Sequence, residues 1–177
     1  MQQHDIEANK KLARQFIENI NRHDYAAMDR LLHPSFVWNT AVTSDDGPNE
    51  LRKMQSNTMQ GRNLHHAKPR LNREESMAIY KRLFEGHYGS SMAGPSQGAG
   101  EAAVPFHDDK YRMRVDVLGL TAEEDRIAME AESHVLNPTN GRLYNNFYHY
   151  LFRVRDGKIT LFKEYQDTLH LFDYMAE

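Results

Sequence analysis

Glu164 is the side chain of this 177-residue sequence best placed to do chemistry. It belongs to the stretch 141–168, GRLYNNFYHYLFRVRDGKITLFKEYQDT, which reads as two long strands joined by a tight turn at Asp156-Gly157. Side chains alternate across a strand. Phe162, Glu164 and Gln166 therefore share one face of the last strand, opposite Leu161, Lys163, Tyr165 and Asp167. On the strand before it, Asn146, Tyr148, Tyr150 and Phe152 share a face, opposite His149, Leu151, Arg153 and Arg155. One face of the hairpin thus carries polar and aromatic groups where a sheet packed on helices should be oily. Polar groups against an apolar interior are destabilising unless hydrogen-bonded, so this pattern predicts a pocket.

A carboxylate inside such a pocket has its charged form disfavoured, and its pKa rises toward neutrality. That suits Glu164 to general acid or base work; the structural alternative is a carboxylate held by a neighbouring Tyr or Arg. His134 is the second candidate. Glu130, Glu132 and His134 alternate against Met129, Ala131, Ser133 and Val135. If the first set faces the pocket, His134 is a proton acceptor near pH 7 with Glu132 as its orienting partner. If it faces outward, Met129 and Val135 fill the core. Trp38, Asn39, Asn146, Tyr148 and Tyr150 form a shaping and hydrogen-bonding set, suited to a flat or cyclic apolar ligand with an oxygen to hold; for Trp38 ordinary core packing is the competing reading. Metal chemistry has little support. There is no HExxH, His65-His66 point apart in any regular element, and His107-Asp108-Asp109 reads as a solvated turn. Gly98 and Gly100 lack the strand and helix of a phosphate loop.

The elements that must position these groups divide into a helical first half and a strand-rich second half. Residues 5–22 place Leu12, Phe16, Ile17 and Ile20 on one helical stripe. Asp24 caps a second helix, Tyr25 to Leu32, stopped by Pro34. Phe36-Val37-Trp38 reads as a short strand. Residues 41–70 have no clear period and read as an insertion, with one helical turn around 50–59. Asn72 and Glu75 form a capping box for a third helix with Met77, Tyr80, Leu83 and Phe84 on its apolar side and Gly86 at its end. Residues 87–105 are rich in Gly, Ser and Ala and read as a mobile loop, either a lid or a surface insertion. Strands follow at 112–119, 126–136, 143–155 and 158–167, antiparallel by their short connections. This is an α+β plan: a twisted sheet curled around three helices into a cone with an internal cavity, its mouth covered by a terminal helix at 169–175.

The length suits one domain, 1–177. Net charge is −3 and no Lys/Arg block occurs, which argues against nucleic acid as a partner. The chain has no Cys, so disulfides, thiolate nucleophiles and Cys-based zinc sites are excluded, in keeping with a reducing compartment. It begins with a polar MQQHDIEANKK and has no run of about 20 apolar residues. A cytoplasmic protein without a membrane partner is expected.

The runs FIENINRHDYAAMDRLLHPSFVW, NREESMAIYKRLFEG and DGKITLFKEYQDT resemble the NTF2-like superfamily, above all its SnoaL-like branch of polyketide cyclases and ketosteroid-isomerase relatives. The resemblance covers nearly the whole chain apart from 41–70 and 87–105. It implies a cone-shaped curved antiparallel sheet around three N-terminal helices, the NTF2-like or cystatin-like α+β barrel. It also implies a cavity for a small hydrophobic ligand, no cofactor, and a homodimer through the convex sheet face. It places Phe162, Glu164 and Gln166, with Asn146, Tyr148, Tyr150 and Phe152, toward the cavity. In the phenazine-biosynthesis condensing members a functional acid precedes an aromatic residue, as Glu164 precedes Tyr165; Tyr150 lies near the oxyanion-hole acid of ketosteroid isomerases. The chain departs from those isomerases: their helix-1 tyrosine falls at Phe16, and their general-base aspartate falls near Asn39 or Thr40. Two functions are therefore expected. One is an acid–base enzyme (isomerase, dehydratase, cyclase or condensing type) acting on an oxygenated ring compound; the other is a non-catalytic binding module.

Overall fold

A computed structural model describes residues 5–39, 70–84, 113–136, 141–167 and 169–170, with the backbone alone for 82–84. The first helix, α1, spans Ile6–Arg22. Asp5 caps it by accepting from the Ala8 N–H at 3.0 Å, and His23 closes it in a left-handed conformation. Asp24 caps α2, Tyr25–Leu31, in the same way, accepting from Ala27 at 2.8 Å. The reciprocal capping box is present on α3, Arg73–Phe84: Glu75 N–H donates to Asn72 Oδ1 at 2.9 Å, and Asn72 N–H donates to Glu75 Oε2 at 3.0 Å.

The strands are β1 (Leu32–Asn39), β2 (Arg70–Asn72), β3 (Arg114–Glu123), β4 (Arg126–Leu136), β5 (Leu143–Tyr144), β6 (Phe147–Arg155) and β7 (Lys158–Gln166). They form one sheet in the order β2-β1-β7-β6-β4-β3, with β5 also on β4. The sheet is α+β in setting, as expected, but it is mixed and open. β1 runs parallel to β7, with Trp38 level with Phe162. The barrel therefore does not close, because β2 and β3 are its two edges.

Other boundaries differ for local reasons. β1 begins at Leu32 rather than Phe36, and Pro34, which has no N–H to donate, sits exposed within a register shift between Leu32 and Val37. The expected strand 143–155 is broken at Asn145-Asn146, where β5 ends and β6 begins. β3 continues to Glu123, past a bulge between Val117 and Gly119, and turns at Glu124 with φ 53°. The β6–β7 turn is at Asp156-Gly157, with φ 53° and 67°, the left-handed pair of a type I′ turn. The helical turn expected at 50–59, the loop 87–105, Gly86 and most of the terminal helix 169–175 lie outside the described residues.

The helices cover one face of the sheet. α1 packs on β3, β4 and β7, and α3 packs on β1. At the centre, fully buried Phe16 touches Phe162 and Phe152 at ring-centroid distances of 5.0 and 5.7 Å, and Tyr80 of α3 at 6.0 Å. Edge strand β3 is secured by Asn21 of α1, whose amide donates to the Val115 carbonyl at 2.8 Å and accepts from the Val115 N–H at 2.7 Å. No helix among the described residues is long and apolar enough to cross a membrane.

Candidate functional site

Because Phe162 meets Phe16 of α1, its face of β7 is the helix-covered one, and Glu164 lies two residues further along that same face. Tyr150 of β6 is directly across from Glu164, Tyr148 across from Gln166, and Phe152 across from Phe162. Trp38 comes from β1 on the other side of β7, and its indole Nε1–H donates to Glu164 Oε2 at 2.9 Å. The Trp38 ring stacks on Tyr80 of α3 at 4.7 Å and 13°. An acid thus sits inside an aromatic shell built from α1, α3, β1 and β6.

Burial is the larger influence on Glu164 and pushes its pKa up from 4.5 to about 7; the Trp38 hydrogen bond works in the opposite direction. The side chain is crowded by protein and yet keeps some accessible surface. Among the described residues Trp38 is the only hydrogen-bond partner of this carboxylate, and the Tyr150 hydroxyl has none. The tyrosines around it are held protonated. Burial raises Tyr80, Tyr148 and Tyr150 well above 10, with the charge of Glu164 adding to each, and raises Tyr144 to about 12. They are donors, not bases, at any ordinary pH.

A second cluster occupies one end of the same face. Tyr148 donates to the Tyr144 hydroxyl at 2.8 Å, and Tyr144 donates to Gln166 Oε1 at 2.8 Å. The buried Asn146 amide donates to the Tyr144 hydroxyl at 3.0 Å and to the Asp167 carbonyl at 2.9 Å, and its oxygen accepts from Asp167 N–H at 3.3 Å. Ser133 Oγ accepts from the Asn146 N–H at 3.3 Å. This network closes its own hydrogen bonds. Tyr80, Tyr144 and Ser133 join the residues that the sequence predicts here. Tyr144 shares the parity of Asn146, Tyr148 and Tyr150, so its signal was present; Ser133 depended on the unsettled face of β4.

That face is now clear. Ile127, Met129, Ala131, Ser133 and Val135 are buried under the helices, while Glu130, Glu132 and His134 point outward. His134 and Glu132 are thus placed away from Glu164, because the apolar face of β4 goes to the core. His134 Nε2 lies 3.3 Å from Asp116 Oδ2 and 3.8 Å from Glu132 Oε2, and Arg114 also reaches Asp116 at 3.0 Å. Asp116 and Glu132 are cross-strand neighbours, and the His134 ring lies within reach of both on this outer face. Asn39 is buried at the end of β1, but alternation sets it on the face opposite Trp38, level with Lys163 and Arg70. Thr40, His65, His66 and the 107–109 segment lie outside the described residues. Among the described residues no three His, Cys, Asp or Glu side chains converge as metal ligands.

A groove of about 310 Å³ opens on the outer face, lined among others by Ala128, His149 and Leu151. It is on the opposite side of the sheet from Glu164, and none of its lining residues is a buried titratable group.

No family model matches the chain, and no curated protein matches it in sequence. Solved structures do match it along its length. An LEH-like epoxide hydrolase from M. tuberculosis is 13% identical with a TM-score of 0.60, over 97% of this chain and 91% of that one. A protein from Jannaschia sp. CCS1 described as a SnoaL-like polyketide cyclase is 13% identical with a TM-score of 0.62, over 96% and 92%. An NTF2-like protein of unknown function from Burkholderia pseudomallei K96243 is 17% identical with a TM-score of 0.60, over 96% and 98%. Helices on one face of a curved sheet, an interior acid and these full-length likenesses agree: the chain has the NTF2-like fold.

Proposed function

We propose that this protein is an acid–base enzyme, of the isomerase, dehydratase, cyclase or condensing type, acting on a small hydrophobic oxygenated ring compound held against Glu164. The observation that carries the reading is the pairing of Glu164 with Tyr150. Each is inward, each keeps a polar atom unengaged by the described residues, and the two are directly opposed on neighbouring strands. With a pKa of about 7, Glu164 is populated in both forms near neutrality. Ionised, it takes a proton from a carbon beside a carbonyl; protonated, it returns one. The Tyr150 hydroxyl, kept neutral by burial, donates to the oxygen on which negative charge develops. Likenesses to proteins described as a polyketide cyclase and an epoxide hydrolase support chemistry of this general kind on this fold.

The test uses Nile red, an uncharged fused-ring ketone. Its affinity for the parent protein should change with pH around a midpoint near 7, and the dependence should vanish in Glu164→Gln. Tyr150→Phe should weaken binding by about five- to tenfold, one neutral hydrogen bond. A flat pH profile in the parent, matched by Glu164→Gln, leaves only the non-catalytic binding reading.

A further inference from the structure

We infer that Trp38 is a positioning residue for Glu164: its indole N–H claims Oε2 and leaves Oε1 as the oxygen that carries and exchanges the proton. The inference deepens the acid–base reading of this site and rests on it for its functional meaning.

The geometry is specific. The Nε1–Oε2 distance is 2.9 Å, and an indole nitrogen can only donate. Oε2 is therefore held as an acceptor whether Glu164 is charged or neutral. A proton placed on Oε2 would compete with the N–H for the same oxygen, so the neutral carboxyl carries its hydrogen on Oε1. The indole is fixed in turn. It is 3% exposed, stacked on Tyr80 at 4.7 Å, and tilted at 34° to Phe162 at 6.2 Å. Parallel pairing of β1 with β7 sets Trp38 level with Phe162, which puts Glu164 within reach. A donor on a buried carboxylate also favours its charged form. Trp38 therefore offsets part of the burial effect and keeps Glu164 ionisable near neutrality.

The titratable groups on which the charge of Glu164 acts are Tyr80 from α3, Tyr144 from β5, and Tyr148 and Tyr150 from β6. All stay neutral up to about pH 9, so Glu164 alone changes charge there among the described interior residues. Trp38 is also the single tryptophan of the chain, so its emission reports directly on its acceptor.

Two measurements on the full chain test the assignment. Tryptophan emission of the parent should show one step with a midpoint near pH 7, and Glu164→Gln should abolish it. In Trp38→Phe, which keeps an aromatic ring in the stack, the Glu164 carboxyl ¹³C resonance should titrate about one pH unit higher or more than in the parent. An unmoved carboxyl midpoint in Trp38→Phe would mean that Trp38 only fills space and would overturn the inference. So would a parent emission profile without a Glu164-dependent step, and that measurement does not require the variant Trp38→Phe to fold. If both effects appear while Nile red binding is independent of pH, the positioning of the acid stands and the proposed enzymatic use of it fails.

Discussion

Replacing Glu164 with Gln should make the protein more stable at alkaline pH, the reverse of what deletion of a hydrogen-bonded acid usually does. The carboxyl pKa is raised by burial from 4.5 to about 7. The native state therefore holds this proton more tightly than the unfolded chain does. Between those two values the native state carries more protons than the unfolded one, so stability falls as pH rises. The favourable contribution is complete below about 4.5 and lost once pH passes about 7. Each pKa unit corresponds to about 1.4 kcal/mol, which puts the whole effect at about 3 kcal/mol. Partial solvent access brings the expectation down to about 2 kcal/mol. Gln keeps an oxygen to accept from Trp38 and has no charge to bury. Urea unfolding of both proteins from pH 4 to 9, read as a difference, cancels every other titrating group. The two should be nearly equal at pH 4, with Glu164→Gln ahead by about 2 kcal/mol at pH 8.5. That corresponds to a gain of roughly 4–8 °C in Tm for a domain of this size. A difference that stays constant over the range would refute the claim that this acid is held in a dehydrating interior.

Two further outcomes follow from the same geometry. Asn146→Ala strips the Tyr144 hydroxyl and both backbone groups of Asp167 of a buried partner, so it should lower unfolding stability by about 2–3 kcal/mol; a loss below about 0.5 kcal/mol in urea unfolding would show that the network is not holding the β5–β6 break. His134→Phe on the outer face should leave the Nile red pH profile and the Trp38 emission step as they are in the parent, with a stability change within about 1 kcal/mol; a shifted emission midpoint would mean that His134 is coupled to Glu164 across the sheet.

Sequence alone determined what is local. Asp5, Asp24 and the Asn72/Glu75 box stop and start helices through contacts three residues apart, and Asp156-Gly157 provides the left-handed pair its turn requires. The two-residue period of β6 and β7 separated Tyr148, Tyr150, Phe162 and Glu164 from the residues on their other face, because alternation is a property of the strand itself. Tertiary structure decided everything that depends on which surfaces meet. β4 offers a methionine-and-valine face and a Glu-and-His face, and only the seat of α1 on the first sends His134 outward. The β2 strand and the break at Asn145-Asn146 arise from pairing with β1 and β4, not from propensity. Above all, the partner of Glu164 is 126 residues away in the chain. The parallel register of β1 on β7 delivers that indole, and nothing near either residue encodes it.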